Sequence, residues 1–174
     1  GRVWSSPVIV GNQVWMSTAI ETPAKPEDVK RRLKGNTGDQ PLVLLEKVEL
    51  RAICVDRRSG KLLHNVLLLT EREPQWVHEL NSYASPTPVL ETGRAYFHFG
   101  SFGTACLDTR TALVVWTNTA LPIMHENGPG SSPILWRHLL IFHLDGSDTQ
   151  SVVALDKASG KVVWRTPRSG EMPQ

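Results

Sequence analysis

No run of eighteen apolar residues occurs in the chain, so no membrane-spanning helix is encoded in it. Cysteine is scarce, with two residues in 174, and no paired-cysteine spacing of a zinc site is present. There is no glycine-rich nucleotide loop, and the serines before Pro7 and Pro133 belong to no motif that links a nucleophile to a histidine. Charge of one sign is also missing. The formal net charge is +2 and the basic residues are scattered, apart from Lys30, Arg31, Arg32 and Lys34, which argues against a nucleic-acid partner. That cluster ends a short candidate helix, where cations complement the macrodipole, so a solvated helix end is a plainer reading than an anion site. The chain has no initiator methionine and no signal peptide. The expectation is an internal piece of a longer reading frame, in which a missing leader says nothing about compartment.

What is present is repetition. A nine-residue phrase occurs as DRRSGKLLH (residues 56–64), DTRTALVVW (108–116) and DKASGKVVW (156–164), with a constant offset of 48 between the second and third copies. An Asp at the head of a tight turn accepts hydrogen bonds from N–H groups two and three residues on, a neighbouring hydroxyl assists, and Gly supplies the positive φ that closes the hairpin. Asp56 with Gly60 and Asp156 with Gly160 fit that chemistry. Asp108 is followed by Ala112 instead, where left-handed geometry costs about 1–2 kcal/mol, so a different turn is expected there. The aromatic that ends the phrase, Trp116 or Trp164, is expected to pack on a neighbouring unit, with an open end leaving one of them uncovered.

A second phrase precedes each copy: SSPVIVGNQVWMST (5–18), TPVLETGRAYFHFG (87–100) and SSPILWRHLLIFHLDG (131–146). Each gives a Pro, a short apolar run, a polar turn and a second β-rich run, so each repeat reads as four short antiparallel strands, with Pro7, Pro88 and Pro133 where a missing N–H costs least. Four-stranded units spaced by forty to fifty residues read as propeller blades. The expected fold is all-β: about three blades of a partial propeller, blade one over 5–68 with an insertion at 20–49, blade two over 84–117 and blade three over 130–166. An unclosed arc exposes sheet edges, so further blades are expected as partners.

In ALDKASGKVVW (154–164), with partial copies in ACLDTRTALVVW and AICVDRRSGKLLH, the chain resembles the PQQ-type repeat propellers, which include quinoprotein dehydrogenases and BamB-like outer-membrane assembly proteins. The segments HELNSYASPTPV (78–89), FGSFGTACLD (99–108), HENGPGSSPIL (125–135) and DGSDTQ (145–150) look like propellers of Planctomycetes-type bacteria. The resemblance implies a seven- or eight-bladed ring, a docking role for Asp56, Gly60, Asp108, Trp116, Asp156, Gly160 and Trp164, and a periplasmic or secreted location. PQQ and calcium are cofactors by resemblance only, since the catalytic Asp and calcium ligands of quinoprotein enzymes have no assignable positions here. The vicinal cysteine pair of several such enzymes has no counterpart. Cys54 and Cys106, each two residues before the turn Asp, are expected as small buried core residues rather than a bridge.

Propeller topology places the strand two to strand three connections and the links between blades on one face. That face receives 20–49, 70–85, 99–103, 118–132 and 145–150, so function is expected there. KPEDVKRRLKGN (25–36) reads as a short capped helix with a narrow Val29 and Leu33 stripe, either a lid on the rim or a partner-binding helix. His78, Asn81 and Tyr83 in one link, and His125 and Asn127 in the next, are candidate ligand-binding residues whose alternative role is loop anchoring. Asp145 and Asp148 supply two carboxylates that suit a calcium ion but are too few alone. The favoured function is a non-catalytic module that binds a protein or a small polar ligand on the loop-rich face. The alternatives are a PQQ-dependent oxidoreductase with its catalytic groups in other blades and a structural spacer.

Overall fold

The computed structural model describes residues 4–36 and 42–168. Strands take 49% and helix 6%, so the chain is all-β as expected. Three antiparallel four-stranded sheets follow one another along the sequence. The first comprises β1 (Val8–Val10), β2 (Gln13–Pro23), β3 (Leu45–Asp56) and β4 (Leu62–Arg72). The second comprises β5 (Val89–Glu91), β6 (Arg94–His98), β7 (Thr104–Asp108) and β8 (Val114–Asn118), and the third β9 (Ile134–Trp136), β10 (Leu139–Asp145), β11 (Gln150–Asp156) and β12 (Val162–Pro167). Within each sheet the spatial order follows the chain order, which makes each an up-and-down unit consistent with a propeller blade.

Register explains the repeated phrase. Across the first sheet Val8, Trp15, Cys54 and His64 form one row; across the second, Val89, Tyr96, Cys106 and Trp116; across the third, Ile134, Ile141, Ala154 and Trp164. The residue two before the turn Asp is therefore small because larger side chains flank it on both neighbouring strands. Both thiols are buried and unbridged, and burial pushes Cys54 up to about 11 and Cys106 up to about 12, so neither is a reactive thiolate. Just past this row every sheet carries a β-bulge, between Cys54 and Val55, Cys106 and Leu107, and Ala154 and Leu155. The pairing skips Leu63, Val115 or Val163, and the added local twist re-aims the aromatic position of the fourth strand.

Two cores sit between sheets. Trp15, Leu50, Ala52 and Cys54 of the first meet Ala95, Phe97, Ala105 and Leu107 of the second, and Tyr96 and Cys106 of the second meet Leu140, Phe142 and Leu155 of the third. The repeated ring has three different fates. Trp116 is half-buried, its indole N–H donates to Lys157 O at 3.0 Å, and an added Cβ on Gly160 would lie 2.4 Å from its ring. His64 stacks on Trp15 with centroids 5.8 Å apart, and Gln13 supplies the cross-blade bond instead, donating to Thr109 O at 3.0 Å. Trp164 remains 37% exposed and is the uncovered ring.

Two expectations need amendment. Ala112 makes the same turn as the glycines: its N–H donates to Asp108 O at 2.9 Å with φ of 58°, as Gly60 and Gly160 do to Asp56 and Asp156. The turn Asp explains this, because Asp108 also accepts from Arg110 N at 2.9 Å and Thr111 N at 3.0 Å and forms an ion pair with Arg94, which together offset the strain. The N–H bonds of Thr111 and Arg110 hold the Asp108 carboxyl well below the usual range. The irregular segment expected over 20–49 is shorter, since β2 and β3 stay paired through Ile20–Glu49, Glu21–Val48 and Thr22–Lys47 to Pro23–Leu45. What projects from the end of that ladder is the helix α1 (Pro26–Arg32), with Glu27 and Asp28 in its first turn and basic residues in its last. It is fastened to the rim by Arg32, which donates to Leu45 O at 2.8 Å, and by an Arg31–Glu73 pair at 3.2 Å. Residues 37–41 of this insertion lie outside the described residues.

Candidate functional site

The links after β4 and β8 and the loops after β6 and β10 lie together, because the β2–β3 type of connection and the blade-to-blade links leave each sheet at the same end. Gln75 joins the two links. Its side-chain nitrogen donates to Ile123 O at 2.7 Å, its side-chain oxygen accepts from His125 N at 3.2 Å, and its carbonyl accepts the Tyr83 hydroxyl at 3.0 Å. Nothing in the sequence marks this residue beyond its place in a link, because a lone Gln belongs to no motif.

The candidate residues occupy this face but do not form a single constellation. His78, Asn81 and Asn127, with Leu80, line a shallow depression. His125 and Asp145, with Ser101, Ser131, His143 and the backbone of Gly128 and Gly130, line a separate cavity of about 190 Å³. Tyr83 is 4% exposed beneath the first link and tilts against Phe102 at 5.3 Å. Asp148 accepts from Met124 N at 2.9 Å, which ties the third blade's loop to the second link.

Most of these polar groups are engaged with the loops themselves. Asn81 donates to Asn127 O at 2.9 Å and Pro129 O at 3.3 Å while its oxygen accepts from Ser82 N and the Ser85 hydroxyl. His78 accepts at Nδ1 from Leu80 N at 3.1 Å and donates its own backbone N–H to Asn127 O at 3.3 Å. Asn127 thus acts through its carbonyl. His125 Nε2 faces Trp76 O at 2.9 Å, and since a carbonyl only accepts, that nitrogen carries the proton and Nδ1 accepts from the Ser101 hydroxyl at 2.8 Å. Burial lowers the pKa of this imidazole and keeps it neutral at pH 7. Both of its nitrogens are occupied, so it has no lone pair left to act as a base.

The chemistry of the Asp145 loop does not fit a calcium ion. Asp145 Oδ2 already accepts from Arg168 at 2.6 Å and faces His143 Nδ1 at 2.9 Å, so a guanidinium stands where a metal would bind. Among the described residues no three His, Cys, Asp or Glu side chains form a group able to hold a metal. Deeper in the second blade, His98 is 2% exposed, pairs through Nδ1 with the Thr104 hydroxyl at 2.9 Å and stacks on Phe142 at 3.9 Å, with Nε2 unpartnered. Desolvation pushes its pKa down to about 3, so it is a neutral core residue, and no motif in the chain singles it out.

Residues 7–166 match the family described as outer membrane protein assembly factor BamB. Among solved structures, a europium-containing methanol dehydrogenase has 12% identity and a TM-score of 0.56 over 94% of this chain and 24% of that one. BamB from Moraxella catarrhalis has 15% identity and a TM-score of 0.47 over 76% of this chain and 36% of its own. Quinohemoprotein alcohol dehydrogenase from Comamonas testosteroni has 14% identity and a TM-score of 0.48, covering 88% and 23%. The chain spans about a quarter of the methanol dehydrogenase, a likeness that bears on fold alone. No curated protein matches the chain. With the match running over nearly its whole length and three four-stranded sheets in series, the chain belongs to the BamB family of PQQ-like repeat propellers.

Proposed function

We propose that the chain is part of a non-catalytic propeller module that binds a protein partner on its loop-rich face, on the extracytoplasmic side of a membrane. The observation that carries this reading is how the polar residues of that face are used. Asn81, His125, Gln75 and Asp148 fasten loop to loop, which leaves a stiffened surface whose outward groups include Leu80 and Met124, 71% and 62% exposed. A rigid polar frame around exposed apolar side chains suits a protein segment better than a small polar ligand, because interface cores are apolar and depleted in charge. The family description is consistent with a protein partner. The opposing reading, a PQQ-dependent oxidoreductase, requires its catalytic and metal-binding groups to come from other blades, because the Asp145 loop is poorly suited to hold a metal.

The test is site-specific photocrosslinking of the full-length protein in its own cells. A crosslinker at Leu80 or Met124 is expected to yield a discrete protein adduct, and one at Arg58 in the turns of the opposite face none. Equal labelling from both faces contradicts the proposal, as does tight PQQ binding by calorimetry.

A further inference from the structure

Basic residues that lie apart along the sequence collect in the turns opposite the link loops. The hairpins that join third and fourth strands are tied to the short turns that join first and second strands. Arg57 N donates to Asn12 O at 2.9 Å, Thr109 N to Gly93 O at 3.2 Å and Lys157 N to His138 O at 2.9 Å, so the two sets of turns form one surface. Its carboxylates are consumed within it. Asp56 and Asp156 accept from the N–H and hydroxyl groups of Ser59 and Ser159, and Asp108 pairs with Arg94. Glu91 takes Lys157 at 2.6 Å and the Tyr96 hydroxyl at 2.7 Å. Arg57, Arg58, Lys61, Arg137 and Lys161 are exposed, and among the described residues none of them has an acidic partner. The outward charge of this face is therefore of one sign.

Apolar side chains stand beside these cations. The bulge leaves Leu63, Val115 and Val163 out of the ladder, and two consecutive apolar residues are open at the turn end of each fourth strand. They are Leu62 with Leu63, Val114 with Val115, and Val162 with Val163, and Leu113 in the middle turn is 67% exposed. An uncovered flank does not explain this, because the second sheet packs against the first on one side and the third on the other and exposes its pair all the same. A lone exposed Leu or Val is ordinary on a protein surface. Here the pair recurs at the same place in three consecutive repeats, beside Lys61, Arg110 and Lys161 in turn.

We infer that this turn face docks on the headgroup layer of an anionic phospholipid bilayer. Guanidinium and ammonium groups meet the phosphates, while the short aliphatic side chains between them enter the boundary of the acyl region. Repetition favours lipid over protein. A bilayer offers identical chemistry to each repeat, so similar turns all engage it at once, whereas a folded protein presents a different surface to each. The turns are also held relative to one another across successive repeats, since Gln13 donates to Thr109 O and Trp116 to Lys157 O, both at 3.0 Å. The link loops on the opposite face stay free in this arrangement, and the inference does not rest on the reading of that face.

Vesicle co-sedimentation of the full-length protein, prepared without lipid modification, tests it on phosphatidylglycerol and phosphatidylcholine vesicles. Binding to phosphatidylglycerol is expected, weakening as salt rises, with a much lower affinity for phosphatidylcholine. Arg58→Gln, Lys61→Gln and Lys161→Gln together are expected to lower the affinity at least tenfold, since each cation near an anionic surface contributes about fivefold. Leu113→Ser with Val114→Ser is expected to lower it about threefold or more. Lys25→Gln, Lys30→Gln and Lys34→Gln remove the same charge from the opposite face and are expected to leave the affinity within about twofold. All these positions are exposed, and matched thermal denaturation checks that each variant folds. No binding of phosphatidylglycerol vesicles by the unaltered protein overturns the inference. Equal losses from the two lysine and arginine triples overturn its assignment to the turn face, and equal binding to both lipids overturns the role of charge. Unchanged affinity in the serine variant overturns the apolar contact. Retention on immobilised polyglutamate without vesicle binding overturns the inference in favour of an acidic protein partner.

Discussion

At the scale of single residues, the turn Asp acts as an organiser strong enough to hold an unfavourable neighbour. Ala112 sits at φ of 58° because Asp108 gathers the N–H groups of Arg110, Thr111 and Ala112 about itself. Relieving that strain with Ala112→Gly is expected to stabilise the chain by about 0.5–1 kcal/mol, the gain in the left-handed region less the entropy of the freed unfolded chain. Urea denaturation measures it, and a loss of stability contradicts the strain. His98 and His125 make a second residue-scale prediction. Burial lowers both pKa values in the folded state, so the unfolded chain binds protons first as the pH falls. Stability is therefore full above the ordinary histidine value of about 6.5 and declines below it. His98→Phe, which keeps a ring against Phe142, is expected to flatten the fall between pH 7 and pH 5. An unchanged slope contradicts the assignment of His98 as a buried neutral base.

At the scale of elements, the link loops form a frame and not a set of independent binding arms. Asn81 makes four of its contacts to the backbone and side chains of two separate links. Asn81→Ala is expected to cost about 1–3 kcal/mol, because it removes the donor to the Pro129 carbonyl and the acceptor of the Ser82 N–H and the Ser85 hydroxyl. It is also expected to raise amide exchange across residues 124–130, 43 or more positions away in sequence. Exchange that rises only around residue 81 contradicts the frame. The sequence showed which face would carry these loops, since alternation of hairpin and link follows from four strands per repeat. It did not show that the polar residues would be consumed by one another, because a hydrogen bond from Asn81 to a carbonyl at 127 leaves no trace in residue spacing. The extra length of β2 and β3 was hidden for a related reason. Glu21, Thr22, Pro23, Glu46 and Lys47 are polar or strand-averse residues, yet the ladder continues through most of them on backbone pairing and a Lys47–Glu49 ion pair at 2.9 Å.

At the scale of the whole molecule, three sheets become one object through the contacts between successive repeats. The Asp-to-ring phrase was legible because both of its ends are functional in the same hairpin, and the fold followed from it. The bulge at Cys54, Cys106 and Ala154 was not legible, since the residue it leaves over on the fourth strand is an ordinary Leu or Val. Nor was the size match between ring and turn, which becomes visible only when Trp116 is seen over Gly160 and His64 turned onto Trp15. A double-mutant cycle at this contact tests the account most directly, with Trp116→His, Gly160→Ala and the pair compared by urea denaturation. Gly160→Ala carries its backbone strain in either background, so strain cancels from the cycle and the clash with the indole remains. The account predicts that Gly160→Ala costs at least about 1 kcal/mol more with Trp116 present than with histidine there, within the range of direct-contact couplings. Costs that add to within about 0.5 kcal/mol, the behaviour of independent sites, would contradict the docking of one repeat's ring on the next repeat's turn.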